Sequence, residues 1–237
     1  MSPLDHQRLA PTREISIPLS GEAETIEAFL SLPNEVAAVI VFAHGSGSSR
    51  HSSRNQEVAR LLQRAGFATL LLDLLTPTEE RTDRVTRQYR FDIPRLARRV
   101  VEGVRWAREH ADTRDLPIGT FGASTGAAAA LIAAAELPHW VGAVVSRGGR
   151  PDLAGAALGN VRAPTRLIVG ERDERVIELN EEAYAQLEKV QVRDLEIIPG
   201  ATHLFEEPGT LEAAAQSASD WFVEHLVRPS SETRRSP

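Results

Sequence analysis

A chain of 237 residues, 42% hydrophobic and 25% charged, has the length of one α/β domain and enough apolar content to bury a core, which excludes disordered and fibrous classes. Its 27 Lys and Arg against 33 Asp and Glu leave a formal charge of -6, so no overall basic field draws it to nucleic acid or an anionic membrane, and neither is an expected partner. Cys is absent, which rules out a disulfide framework, a thiolate nucleophile and a Cys-ligated metal.

The start, Met1-Ser2-Pro3-Leu4-Asp5-His6, lacks the basic-then-apolar order of a signal peptide. No stretch approaches the roughly 18 apolar residues of a membrane span, so a cytoplasmic protein is expected. One domain is predicted over 13–228, after an N-terminal arm at 1–12 and before a polar, disordered tail at 229–237.

Short apolar runs alternate with amphipathic stretches, the sequence form of a mostly parallel sheet with helices on both faces. Strands are predicted at Glu14–Leu19 and Thr25–Leu32, whose alternation suggests an antiparallel edge hairpin, then at Ala37–Ala43. A helix carrying Val58, Leu61, Leu62 and Ala65 follows, with Gly66 as its left-handed stop, and then a strand at Ala68–Leu72. Thr76–Tyr89 is polar, with Arg81, Arg84, Arg87 and Arg90 at three-residue intervals, and reads as a solvated loop or short helix rather than a lid. Leu96, Val100, Val101 and Val104 mark another helix. Strands at Pro117–Phe121, Val141–Val145, Thr165–Val169 and Asp194–Ile198 complete an eight-stranded sheet. A last helix carries Leu211 through Phe222, with Thr210 as its N-cap.

Between the strand Pro117–Phe121 and the helix-forming run Ala127–Ala135 lies Gly122-Ala123-Ser124-Thr125-Gly126. This is the G-x-S-x-G elbow in its proper strand–turn–helix context, where small neighbours let a strained turn lift the serine hydroxyl above the strand end. A serine needs a base, usually His oriented by a carboxylate. His203 follows the last strand, the place of the base in the α/β-hydrolase order Ser, Asp, His. Glu171, Asp173 and Glu174 follow the preceding strand; the distance of Asp173 from the strand end, with Val176 behind it, resembles the hydrolase pattern and selects it.

An oxyanion needs backbone donors. The N–H of Thr125, next after the nucleophile, is one. The strand Ala37–Ala43 runs into His44-Gly45-Ser46-Gly47-Ser48-Ser49, whose second donor is assigned to Ser46, with Gly45 and Gly47 as alternatives. A phosphate loop would need a Gly-Lys-Ser/Thr ending or G-x-G-x-x-G, and the segment has neither. Arg50 and Arg54 after this loop, and Arg147 after strand Val141–Val145, are candidate substrate-binding residues that could hold a carboxylate; the alternative is that such arginines pair with Asp73, Asp152 or Glu206 and brace loops.

These four motifs, His44 to Gly47, Gly122 to Gly126, Gly170 to Asp173 and Gly200 to His203, resemble the α/β-hydrolase superfamily and, within it, the dienelactone hydrolase-like family over about residues 13–226. The resemblance implies an α/β-hydrolase fold with an eight-stranded, mostly parallel sheet and no large cap. It also implies a triad of Ser124, Asp173 and His203 that hydrolyses small-molecule esters or lactones without a cofactor. The best-known dienelactone hydrolases carry Cys where this chain has Ser124, so a serine carboxylesterase for small to medium acyl groups fits better. An acyltransferase or peptidase with the same triad, and a non-catalytic binding module on this scaffold, are the alternatives. The oligomeric state is left open.

Overall fold

Residues that are apolar on both sides of an extended run can only be satisfied in the middle of a covered sheet, and three strands here are buried along their whole length. The computed structural model describes residues 10–227. Its eight strands are β1 (Thr12–Pro18), β2 (Thr25–Ser31), β3 (Ala38–Ala43), β4 (Phe67–Leu72), β5 (Ile118–Ala123), β6 (Val141–Arg147), β7 (Thr165–Gly170) and β8 (Arg193–Ile198). They form one sheet in the order β1-β2-β4-β3-β5-β6-β7-β8. β1 pairs antiparallel with β2, and β2 with β4; every other pairing is parallel.

The expected edge hairpin is present, and each strand end lies within two residues of its predicted position. The extension of β6 to Arg147 matters most, because it moves that arginine from a loop onto the strand end. The arm at 1–12 falls outside the described residues as far as residue 9, with Thr12 already in β1, and the tail at 229–237 falls outside them altogether.

The described residues hold six helices, α1 (Ser53–Arg64), α2 (Pro77–Thr86), α3 (Ile93–Glu109), α4 (Thr125–Glu136), α5 (Glu174–Gln186) and α6 (Thr210–Leu226), with a 3-10 segment at Pro151–Asn160; all but α2 pack on the sheet. Successive residues of β3 serve opposite faces. Val39, Val41 and Ala43 join a core with α3, α4 and α5, whereas Ala38, Ile40 and Phe42 join one with α1 and α6. Gly66 takes the left-handed conformation (φ 87°) that ends α1. Thr210 is not the N-cap of α6. Gly209 holds that position at φ 82°, and the Thr210 hydroxyl donates to the Glu207 carbonyl at 2.7 Å. Of the loop or short helix expected at Thr76–Tyr89, the helix is what forms, as α2, fixed at its start by a reciprocal capping box between Thr76 and Glu79.

The chain leaves β3 for β4 on one side, while β5 lies on the other. The carboxyl ends of β3 and β5 therefore flank the crevice where open α/β sheets bind ligands.

Candidate active site

Five segments converge at that edge, each placed there by the strand before it. The first is the turn after β5. Ser124 has φ 50° and ψ -125°, a conformation that costs a non-glycine residue about 1–3 kcal/mol. Neighbours hold it there. The Ser124 N–H donates to the Arg147 carbonyl (3.4 Å), and the Ser124 carbonyl accepts from the N–H groups of Arg150 (3.0 Å) and Ala127 (3.1 Å). The flanking glycine is a packing requirement: a Cβ on Gly126 would stand 2.3 Å from the Ala43 carbonyl oxygen. α4 thus starts directly behind Ser124, with Thr125 as its first residue.

The second is the loop after β3. Gly45 faces the nucleophile so closely that a Cβ there would lie 3.0 Å from Ser124 Cβ. The preceding His44 is buried, and both its ring nitrogens are used. Nδ1 donates to the Gly45 carbonyl at 2.8 Å, while Nε2 accepts the Leu74 N–H at 3.1 Å. Burial holds this imidazole below its ordinary pKa, against the weaker opposing pull of the Gly45 carbonyl and Asp73, so it is neutral. Because the Gly45–Ser46 peptide is trans, fixing its carbonyl toward His44 turns the Ser46 N–H the opposite way. Neither the Ser46 nor the Thr125 N–H bonds to another group among the described residues.

The third and fourth are the loops after β7 and β8, which are joined to each other: Glu171 and Arg172 N–H groups donate to the carbonyls of Ile198 and Ala201. The three acidic residues there divide their work. Glu171 accepts the Gly200 N–H at 2.7 Å, Glu174 is exposed at the start of α5, and Asp173 Oδ2 meets His203 Nδ1 at 2.6 Å. Asp173 sits at the N-cap position of α5 but caps nothing with its side chain, which is committed to the histidine. No hydrogen bond joins Ser124 Oγ to His203, although both line one cavity of about 210 Å³; such contacts commonly tighten only when substrate arrives.

The fifth is the end of β6. Arg147 is only 7% exposed and lines this same cavity. The next residue, Gly148, has φ 51°, and a Cβ on it would come to 3.0 Å from the His203 carbonyl oxygen, so any side chain there would be strained and would push on the histidine loop.

The three predicted arginines separate. Arg50 is ion-paired with Asp73 and lines an adjoining cavity of about 700 Å³ walled by α2, which shares Ser48 and Ser52 with the first but does not include Ser124. Arg54 lines the Ser124 cavity and makes a loose 3.4 Å contact with Glu206 on the surface. Arg147 has no acidic partner among the described residues. Sequence reading placed His44 in the glycine-rich motif but gave it no role, and it missed Asn55, whose Oδ1 accepts from Arg147 Nη2 at 3.3 Å. The one available signal for His44 was its place between a strand end and a glycine-rich turn. No group of side chains able to hold a metal ion occurs among the described residues, and no helix among them is long and apolar enough to cross a membrane.

Comparison with known proteins gives a consistent picture. The model of the dienelactone hydrolase family matches residues 26–226. The crystal structure of a dienelactone hydrolase from Anabaena variabilis is 52% identical, with a TM-score of 0.88 over 93% of this chain and all of that one. Est1E from Butyrivibrio proteoclasticus, 17% identical with a TM-score of 0.73 over 91% of this chain and 99% of its own, shares the fold. Two Mycobacterium tuberculosis proteins, provisionally named phosphoribosyl transferases, are 54% identical over 220 residues, covering 92% of this chain and 48% of theirs. The chain therefore spans about half the length of these curated relatives.

Proposed function

The chain belongs to the dienelactone hydrolase family and has the α/β-hydrolase fold, and on that premise we propose that it is a serine hydrolase of carboxylic esters or lactones with small to medium acyl groups. The observation that carries this reading is the 2.6 Å contact between Asp173 and the His203 ring beside a serine held in a strained elbow. His203 takes the proton of Ser124 Oγ as that oxygen attacks the substrate carbonyl. The tetrahedral oxyanion is held by the N–H groups of Thr125 and Ser46, with His44 fixing the peptide that carries the second. His203 returns the proton to the departing alcohol, and then activates the water that releases the acid. Asp173 keeps the ring in the tautomer with Nδ1 protonated and stabilises its charged form.

The cavity, at about 210 Å³, is smaller than the roughly 300–1,000 Å³ that drug-sized ligands occupy, which supports a small acyl group. The name of the mycobacterial relatives points to phosphoribosyl transfer. The arrangement of Ser124, His203 and Asp173 supports acyl chemistry instead, with an alcohol in place of water giving an acyltransferase.

The test is hydrolysis of p-nitrophenyl acetate, butyrate and octanoate, together with fluorophosphonate labelling located by peptide mass. Turnover of the shorter esters and a label on Ser124 are expected. Ser124→Ala is expected to lose the label and about a thousand-fold or more in kcat. Turnover that survives in Ser124→Ala would sink the assignment, and product analysis with added methanol separates hydrolase from acyltransferase.

A further inference from the structure

Buried amide side chains as a rule use both ends in hydrogen bonds, and Asn180, fully buried in α5, uses one. Its Nδ2 donates to the Gly149 carbonyl at 3.0 Å and to the Val176 carbonyl at 2.7 Å, while Oδ1 meets no partner. Both neighbours are carbonyl oxygens, which only the NH2 end can serve, so the side chain is placed to donate. Val176 is one turn back on the same helix. Gly149 lies 31 residues away, in the loop after β6. It is pressed so tightly against Ser146 and α4 that a Cβ on it would stand 1.9 Å from Ser146 Oγ and 2.6 Å from Ala127 Cβ.

The Gly149 carbonyl shares a peptide group with the Arg150 N–H, which donates to the Ser124 carbonyl at 3.0 Å. The Ser124 carbonyl in turn shares a peptide group with the Thr125 N–H. Both peptides are trans, so in each the N–H points away from the carbonyl. A bond given to one side is therefore passed out on the other: Asn180 to Gly149, Arg150 to Ser124, and at the end the Thr125 N–H, which bonds to nothing among the described residues. The Ala127 N–H shares the Ser124 carbonyl, but it belongs to α4 and moves with it. Arg150 lies outside that helix and can fix how its first peptide is turned.

We propose that Asn180 is a positioning residue of the oxyanion hole. Through the Gly149–Arg150 peptide it sets the Ser124–Thr125 peptide, whose N–H receives the negative charge of the tetrahedral intermediate. Hydrogen bonds in series polarise one another, which makes that N–H the stronger donor. The inference rests on the hydrolase reading and deepens it; Asn180 itself touches no reacting atom. Its helix opens at Asp173, whose carbonyl accepts the N–H groups of Val176 and Ile177. One helix thus carries the acid at its start and steers the oxyanion donor from further along.

The experiment uses two variants. Asn180→Leu keeps the approximate volume and removes both bonds. Asn180→Ser retains a hydroxyl that can return to the Val176 carbonyl but is too short for Gly149, and it carries the test should Asn180→Leu fail to fold. With 4-nitrophenyl acetate, and rates normalised to active sites titrated with a fluorophosphonate, both are expected to lose about ten-fold or more in kcat and in kcat/KM alike, the mark of an interaction made only in the transition state. Affinity for 1,1,1-trifluoro-2-butanone, whose hemiketal with Ser124 carries an oxyanion, is expected to fall by the same factor. A merely structural Asn180 would lower the fraction of titratable sites and leave kcat per site and ketone affinity unchanged, and that result overturns the proposal.

Nuclear magnetic resonance reads the relay without turnover. The amide protons of Arg150 and Thr125 are expected to shift upfield in Asn180→Ser as their hydrogen-bond chain loses its first donor. Unmoved Arg150 and Thr125 resonances overturn the relay whether or not the protein hydrolyses esters. A wild type that neither hydrolyses nor labels, with both resonances displaced in the variant, would discredit the hydrolase reading alone.

Discussion

His44 shows how a buried titratable side chain can serve a site without touching the reacting atoms. Its neutral ring bridges the Gly45 carbonyl and the Leu74 N–H, tying the loop after β3 to the segment after β4. An imidazole kept neutral by burial makes stability depend on pH. The unfolded chain takes up a proton near pH 6.5, whereas the folded chain resists it, so stability is full above that pH and falls as the pH drops below it. Urea unfolding between pH 7 and 5 is expected to lose up to about 1.4 kcal/mol per pH unit from this group. His44→Gln should flatten that slope, leaving the smaller part due to His225, which burial also lowers. An unchanged slope would count against a neutral, buried His44. The same residue marks a limit of sequence reading. Ser124, Asp173 and His203 are legible because each follows a strand within a few residues, in a motif with a local reason. His44 depends on a partner 30 residues away, and Arg147 is notable for a partner it lacks, which no local pattern reveals.

Among the elements, α2 takes the helical form of the two expected, but it is anchored rather than simply solvated, for a clear physical reason. Its inner face is acidic rather than apolar, with Glu79 and Asp83 buried, so hydrophobic periodicity had nothing to register. Glu79 pairs with Arg95 and Arg99 of α3. Asp83, 1% exposed, accepts from the N–H groups of Tyr89 (2.7 Å) and Arg90 (3.1 Å) and from Arg90 Nε (2.7 Å). Burial alone would raise its pKa, but these donors and the Arg90 charge hold it below the ordinary carboxylate value. Asp83→Ala is expected to weaken the anchoring of α2 by about 3 kcal/mol. The readout is amide exchange, expected to quicken roughly a hundred-fold in α2 while the β3 and β5 amides keep their protection. Equal acceleration in the sheet would show that α2 opens only with the whole molecule. The strands, by contrast, are legible almost to the residue, since β3, β4 and β5 are buried on both faces and spell this out as mostly apolar runs, broken only by Thr69 in β4 and by Thr120 and two glycines in β5.

At the scale of the molecule, one sheet separates two apolar layers, and α6 closes the layer farther from α3 and α4. Phe222 is fully buried there, at 6.2 Å from Phe67 between ring centres. Phe222→Ala is expected to cost about 3–5 kcal/mol. Thermal unfolding should show it as a lowered midpoint in a single transition, with fluorophosphonate labelling retained below that temperature. Labelling lost well before unfolding would mean that the two layers melt apart.

The sheet also binds Arg147 to the nucleophile. Arg147 lies opposite Ala123 in the β5–β6 ladder, and its carbonyl receives the Ser124 N–H. Backbone that holds the charge is thus the backbone that holds the elbow. Because both links are made by main chain, the side chain at position 147 can change without releasing the elbow, whereas a break in the β5–β6 ladder at that point would release the nucleophile.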